Sequence, residues 1–141
     1  MSEEFGRDDY PLAEKRPEIL RARSGKPLAE ITLDAVVAGR VSMDDLAIHS
    51  ETLLRQAQIA RAAGRPTLAQ NFERAAELVA VPQDLVMRAY EMLRPGRAKS
   101  AAEILDIAAT LRRDHGADRI AAFLEEAAEV YEKRGLFRFR Y

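Results

Sequence analysis

The chain contains no cysteine, so neither a disulfide framework nor a thiolate metal or redox site is open to it. That absence fits a reducing compartment. Net charge is nearly missing as well, because 22 basic side chains meet 23 acidic ones and leave −1 at neutral pH. No global field is available to hold nucleic acid or an anionic bilayer, and neither is expected as a partner. Long apolar runs are absent, and nothing approaches the roughly 20 residues that a membrane-spanning helix needs. The start, Met-Ser-Glu-Glu-Phe-Gly-Arg-Asp-Asp-Tyr, is acidic and polar where a secretory signal needs a basic end and an apolar core. These absences lead us to expect a cytoplasmic protein.

What is present is alanine. The 141 residues are one domain's worth, and 25 of them are Ala, which allows close helix approach but removes less apolar surface from water than Leu or Phe, at about 25 cal/mol per Å2. Such an interior is thin, and a partner surface could supply the missing burial.

The spacing predicts an all-α chain: a single helical domain of about five to six helices behind an extended N-terminal arm. The arm, residues 1–31, holds Pro11, Pro17 and Pro27 with Gly6 and Gly25, which favours extended backbone. It also spends Phe5, Tyr10, Leu12, Ile19, Leu20, Leu28 and Ile31, more apolar residues than loose polypeptide carries. The body, residues 32–135, opens with Thr32 as a cap for a short helix over 33–38 stopped by Gly39. Ser42-Met-Asp-Asp45 resembles a capping box. Residues 50–80 read as a helical hairpin, with Ser50 as cap, Leu53, Leu54, Ala57 and Ala60 on one stripe, and Leu68, Ala69, Phe72, Ala75, Ala76 and Val79 on the other. Gly64 and Pro66 turn it. Pro82 starts the next helix, with Leu85, Val86, Ala89, Tyr90 and Leu93 as its stripe. Ser100-Ala-Ala-Glu103 forms a capping box before Ile104, Leu105, Ile107, Ala108 and Leu111. Asp118 caps a last helix with Ile120, Phe123, Leu124, Ala127, Val130 and Tyr131 on its apolar face. The tail, residues 136–141, alternates Leu136, Phe137, Phe139 and Tyr141 with arginines, as an extended segment burying one side does.

Catalytic signals are scarce. His49 and His115 are preceded three residues earlier by Leu46 and Arg112, where a diiron bundle needs Glu. Two distant histidines without cysteine do not make a zinc site, and they read as solvated or hydrogen-bonded structural residues. Arg94-Pro-Gly-Arg-Ala-Lys-Ser100 lacks the glycine pattern and leading strand of a phosphate loop. Glu125, Glu126 and Glu129 read as a charged helix face. Ser50, Ser100 and the threonines read as caps, and Gln58 and Asn71 as amides at stripe edges that satisfy backbone or cross an interface.

The order of words carries more. Ser24-Gly-Lys-Pro-Leu, Ile31-Thr-Leu-Asp-Ala-Val-Val-Ala-Gly39, Asp45-Leu-Ala-Ile-His-Ser-Glu-Thr-Leu, Gln56-Ala-Gln-Ile-Ala60, Gln70-Asn-Phe-Glu-Arg-Ala-Ala-Glu-Leu78, Met92-Leu-Arg-Pro95 and Ala127-Ala-Glu-Val-Tyr131 follow one another along the chain. Over roughly Tyr10 to Leu136 this order resembles the small subunit of adenosylcobalamin-dependent diol and glycerol dehydratases. The resemblance implies an accessory, non-catalytic subunit in a hetero-hexamer of two each of large, medium and small chains, cytoplasmic, converting 1,2-propanediol or glycerol to the aldehyde by radical dehydration. It further implies that adenosylcobalamin lies between the large and medium subunits, with substrate, metal site and catalytic side chains on the large one. No catalytic, cofactor-binding or metal-binding residue carries over to this chain. Enterobacterial relatives often have a longer helical N-terminal extension linked to encapsulation, whereas about nine polar residues precede Tyr10 here, so microcompartment residence is not implied.

Combining both readings, the expected subunit interface comprises Tyr10, Leu12, Ile19, Leu20, Leu28 and Ile31 on the arm, Asn71 and Phe72 in the hairpin, and Leu136, Phe137, Phe139 and Tyr141 on the tail. The rival is a helical-repeat interaction scaffold without enzymatic role, suggested by paired helices, although no repeat near 34 residues appears.

Overall fold

A computed structural model describes residues 3–138, and these are all-α. Its helices are α1 (Leu12–Lys15), α2 (Leu33–Val37), α3 (Met43–Leu46), α4 (Ser50–Ala62), α5 (Pro66–Leu78), α6 (Gln83–Leu93), α7 (Ala101–His115) and α8 (Asp118–Lys133), with 3-10 turns at Arg7–Asp9, Pro17–Ile19 and Leu28–Glu30. The five helices from α4 on, each at least eleven residues long, are those the spacing predicts. Two compact units result, one through Val79 and one from Ala80.

In the first unit α4 and α5 form the hairpin. The turn works as its residues require: Gly64 takes φ +73°, the Arg65 N–H reaches back to the Ala60 carbonyl at 2.9 Å, and Pro66 opens α5. Ala57, Ala60 and Ala69 bury where the helices meet, with Phe72 packed against them. A second face of α4 is also used, since Ile59 joins Phe5, Leu12 and Leu20 in a separate cluster.

That cluster changes the account of the N-terminal segment. Prolines and glycines were expected to leave it extended, but it folds into short helical turns and lies on α4. The Phe5 N–H donates to Gln58 Oε1 at 3.1 Å. The Phe5 ring lies beneath the Arg16 and Arg55 guanidinium groups, 5.4 and 5.5 Å from its centroid, and Arg55 also donates to the Ile19 carbonyl at 3.0 Å. Proline opens these turns, Pro17 as the first residue of one and Pro11 and Pro27 immediately before two others, and the apolar side chains fix the path.

In the second unit α7 and α8 form another hairpin. Ile104, Ile107, Ala108 and Leu111 meet Ala117, Ala121, Leu124 and Ala128 in its interior, and the left-handed Gly116 makes the corner. The Tyr131 hydroxyl donates to the Leu93 carbonyl at the end of α6.

Three caps differ from expectation. His49, not Ser50, precedes α4, and its Nδ1 accepts the Glu51 N–H at 3.2 Å. Ser100 makes no side-chain cap bond, and Glu103 reaches one residue further back, to the Lys99 N–H at 2.8 Å. Asp118 is the first residue of α8, without a side-chain cap bond, and sits 3.3 Å from Arg112. For α4 and α8 the cap position lies one residue before the one the pattern nominates, and for α7 the donor to Glu103 lies one residue before Ser100, a margin within which helix ends ordinarily shift.

Candidate subunit-interface surface

Fourteen large apolar side chains are exposed among the described residues, while nine are buried and the other twelve buried apolar residues are alanine. The remaining bulky residues are half-buried; single exposed apolar residues are ordinary, and it is their concentration in one stretch that stands out. Six of the fourteen fall between Leu33 and Ile48: Leu33, Val36, Val37, Met43, Leu46 and Ile48, with Val37 and Met43 each 81% exposed.

Of the two short helices in that stretch, α3 is anchored through polar groups. The one buried residue of α2 is Ala35, and that of α3 is Asp45. Asp45 accepts from the Ser24 hydroxyl, from Lys26 Nζ at 2.9 Å and from the Ser42 N–H and hydroxyl at 2.7 and 3.2 Å, while Lys26 also donates to the Arg40 carbonyl. Hydrogen bonds from Ser24, Ser42 and Lys26, with the Lys26 charge, hold the Asp45 carboxyl far below the usual carboxylate range. Ser42 and Asp45 complete the capping box. Sequence pattern showed that local pair; the clamp from Ser24 and Lys26, about twenty residues earlier, carried no local signal.

The residues expected at an interface are divided by the fold. Leu12 and Leu20 are buried in the chain's own cluster, with Ile19 packed against it. Tyr10, after which the peptide to Pro11 is cis, is 67% exposed, and Leu28 lies at the edge of exposure. Ile31 is half-buried. Asn71 is exposed and accepts from Arg74, and Phe72 is half-buried against the hairpin alanines. Leu136 is half-buried, and Phe137 lies 6.1 Å from the Tyr131 ring. Phe139 and Tyr141 lie outside the described residues. The apolar residues of 33–48 were not nominated, although the sequence concentrates six of them on elements too short to hide them.

A shallow pocket of about 260 Å3 in the first unit is lined by His49, Thr52, Arg21 and Arg55, among others. Its main cation is already engaged: Arg55 bonds Glu51 at 3.0 Å and the Ile19 carbonyl. Among the described residues no three His, Asp or Glu side chains gather as metal ligands would, and no helix is long and apolar enough to cross a membrane.

The family model described as dehydratase small subunit matches residues 5–138. The chain belongs to that family. This dehydratase small subunit is 46% identical over 126 residues to the propanediol dehydratase small subunit of Citrobacter freundii, spanning 89% of this chain and 73% of the relative. It is 47% identical over 126 residues to that of Salmonella typhimurium, spanning 89% and 72%. The match begins at Phe5, so for a dehydratase small subunit the segment folded on α4 is part of the family's common length.

Proposed function

We propose that the chain is the small, non-catalytic structural subunit of an adenosylcobalamin-dependent diol dehydratase that converts 1,2-propanediol or glycerol to the corresponding aldehyde. The carrying observation is the identity to two propanediol dehydratase small subunits across nearly nine-tenths of the chain. Cobalamin, substrate and the catalytic side chains belong to the large and medium subunits, and the assembly holds two of each chain, in the cytoplasm. The non-catalytic role is supported by the use of the polar groups, since His49, Asp45, Glu103 and Glu125 serve as a cap, a clamp, a helix-end acceptor and a partner of Arg112.

The functional division is an arm (1–31), a body (32–135) and a tail (136–141), with arm and tail lying across the large subunit. Leu12 and Leu20 fix the path of the arm on α4, which leaves Tyr10 and Leu28 as its outward contacts. Co-expression with the large and medium chains tests the reading. Cobalamin-dependent diol dehydration should require this chain for a soluble, assembled enzyme. Full activity and assembly from the large and medium chains alone would refute it, and limited proteolysis that removed arm and tail without loosening the complex would refute the docking assignment.

A further inference from the structure

We propose that the hollow between residues 19–25 and the first turns of α4 is a binding site for a small monocarboxylate, a reading independent of the subunit assignment. The hollow measures about 260 Å3 and lies within the first unit, lined by Ile19, Arg21, His49, Thr52 and Arg55 with Glu51 on its wall. The helix start beneath it is already satisfied, because the Glu51 N–H donates to His49 Nδ1 at 3.2 Å, so a ligand here is held by side chains. That bond also sets the imidazole's chemistry: a neutral ring whose Nδ1 accepts carries its proton on Nε2 and donates with it. Both guanidinium groups are positioned by backbone carbonyls, Arg21 Nη1 donating to Gly25 at 3.2 Å and Arg55 Nη1 to Ile19 at 3.0 Å. Arg55 spends its Nη2 on Glu51. The remaining N–H groups of Arg21, the Thr52 hydroxyl and His49 Nε2 have no partner among the described residues.

Charge and shape select the ligand. The charged groups of the lining are Arg21, Arg55 and Glu51, two cations against one anion, which a singly charged anion balances. The planar fork of Arg21 matches the two oxygens of a carboxylate, and Thr52 and His49 each have a donor to offer them. Ile19 supplies an apolar wall for a short alkyl chain. The volume lies just under the roughly 300–1,000 Å3 of pockets that take drug-sized ligands, and so suits an acid of a few carbon atoms. Inorganic phosphate brings more charge than the lining balances and has no tail to place against Ile19.

The chain has two histidines, His49 in the hollow and His115 outside its lining, so proton NMR of the full-length chain carries its own control. At fixed pH and ionic strength, butyrate replacing chloride should shift the His49 ring protons along a saturating curve, with half-saturation on the order of 1–10 mM for a ligand this small, and leave those of His115 in place. Acetate, which lacks the tail, and inorganic phosphate should each bind more weakly than butyrate. Arg21→Gln should weaken butyrate binding by about tenfold or more through loss of the charged fork. Thr52→Val, which keeps the side chain's shape, should also weaken it. Arg23→Gln removes the same charge from an exposed neighbour outside the lining and should bind as wild type does. Equal shifts at both histidines, a response that never saturates, wild-type affinity in both Arg21→Gln and Thr52→Val, or a loss in Arg23→Gln as large as in Arg21→Gln overturns the site. Phosphate binding more tightly than butyrate overturns its assignment to a monocarboxylate.

Discussion

Asp45 shows how much can rest on one side chain. It is 6% exposed and accepts from four donor groups, of which the Ser24 hydroxyl and Lys26 Nζ join their turn to α3 and the two on Ser42 cap the helix. Its carboxyl titrates below its ordinary value of 3.8, so the folded state binds the proton less well than the unfolded one. The stability it contributes is present above the unfolded value and is lost as pH falls toward the folded one. Asp45→Asn should lower Tm at pH 7, and the gap between wild type and variant should stay constant from about pH 8 to 5 and narrow below about pH 4. Thermal melts of both proteins across that range decide the matter, because the other carboxylates titrate equally in each. A gap that persists unchanged to pH 3 would mean that the clamp does not depend on the Asp45 charge. Little of this residue's role was legible in sequence: Ser42 at three residues' distance signals a capping box, whereas Ser24 and Lys26 reach it only after the chain has turned at Gly25, whose φ is +90°. Phe5 likewise reads as one apolar residue in an acidic start, and its place against Arg55 and Gln58 depends on contacts some fifty residues apart.

Helices were far more legible than their partners. Gly39 and Gly64 stop helices where they were expected to, and Gly116 and Gly135 follow helices in the same way, all with positive φ, since a left-handed residue after a helix is a local requirement. The stripes were read too wide. Leu54, Leu68, Tyr90, Leu105 and Phe123 all have helical spacing suited to a core, yet each is exposed beside a buried neighbour on its helix: Ala57, Ala69, Ala89, Ile104 and Leu124. Periodicity marks which side chains avoid water in the working molecule and does not say whether the cover comes from the same chain. This distinction has a measurable form in the isolated chain. Ala69→Leu, fully buried between α4 and α5, should cost about 1–3 kcal/mol through overpacking, and Leu124→Ala about 2–5 kcal/mol through lost burial and a cavity. Leu54→Ser and Leu105→Ser should stay within roughly 0.5 kcal/mol of wild type. Urea titrations give all four, and a serine variant as damaging as Leu124→Ala would show that the chain covers these stripes itself.

At the scale of the molecule, an interior rich in alanine and a bulky exterior fit the proposal that stability is completed in the assembly. The first hairpin buries mostly alanine and gains little per residue from the hydrophobic effect, whereas the second adds Ile104, Ile107, Leu111 and Leu124 to its buried alanines. The larger apolar groups, on α2, α3 and the outer sides of the long helices, contribute when they are covered. A partner that binds the folded chain and not the unfolded one adds RT ln(1 + [L]/Kd), about 2.7 kcal/mol at a hundredfold excess over Kd. For a chain of this length such a gain raises Tm by on the order of 10 °C. Calorimetry of the chain alone and with increasing large and medium subunits should show its transition moving upward with their concentration. A transition of the lone chain that is already high and does not move with partner concentration would mean that the exposed apolar residues stay in water throughout, and that the thin interior is sufficient by itself.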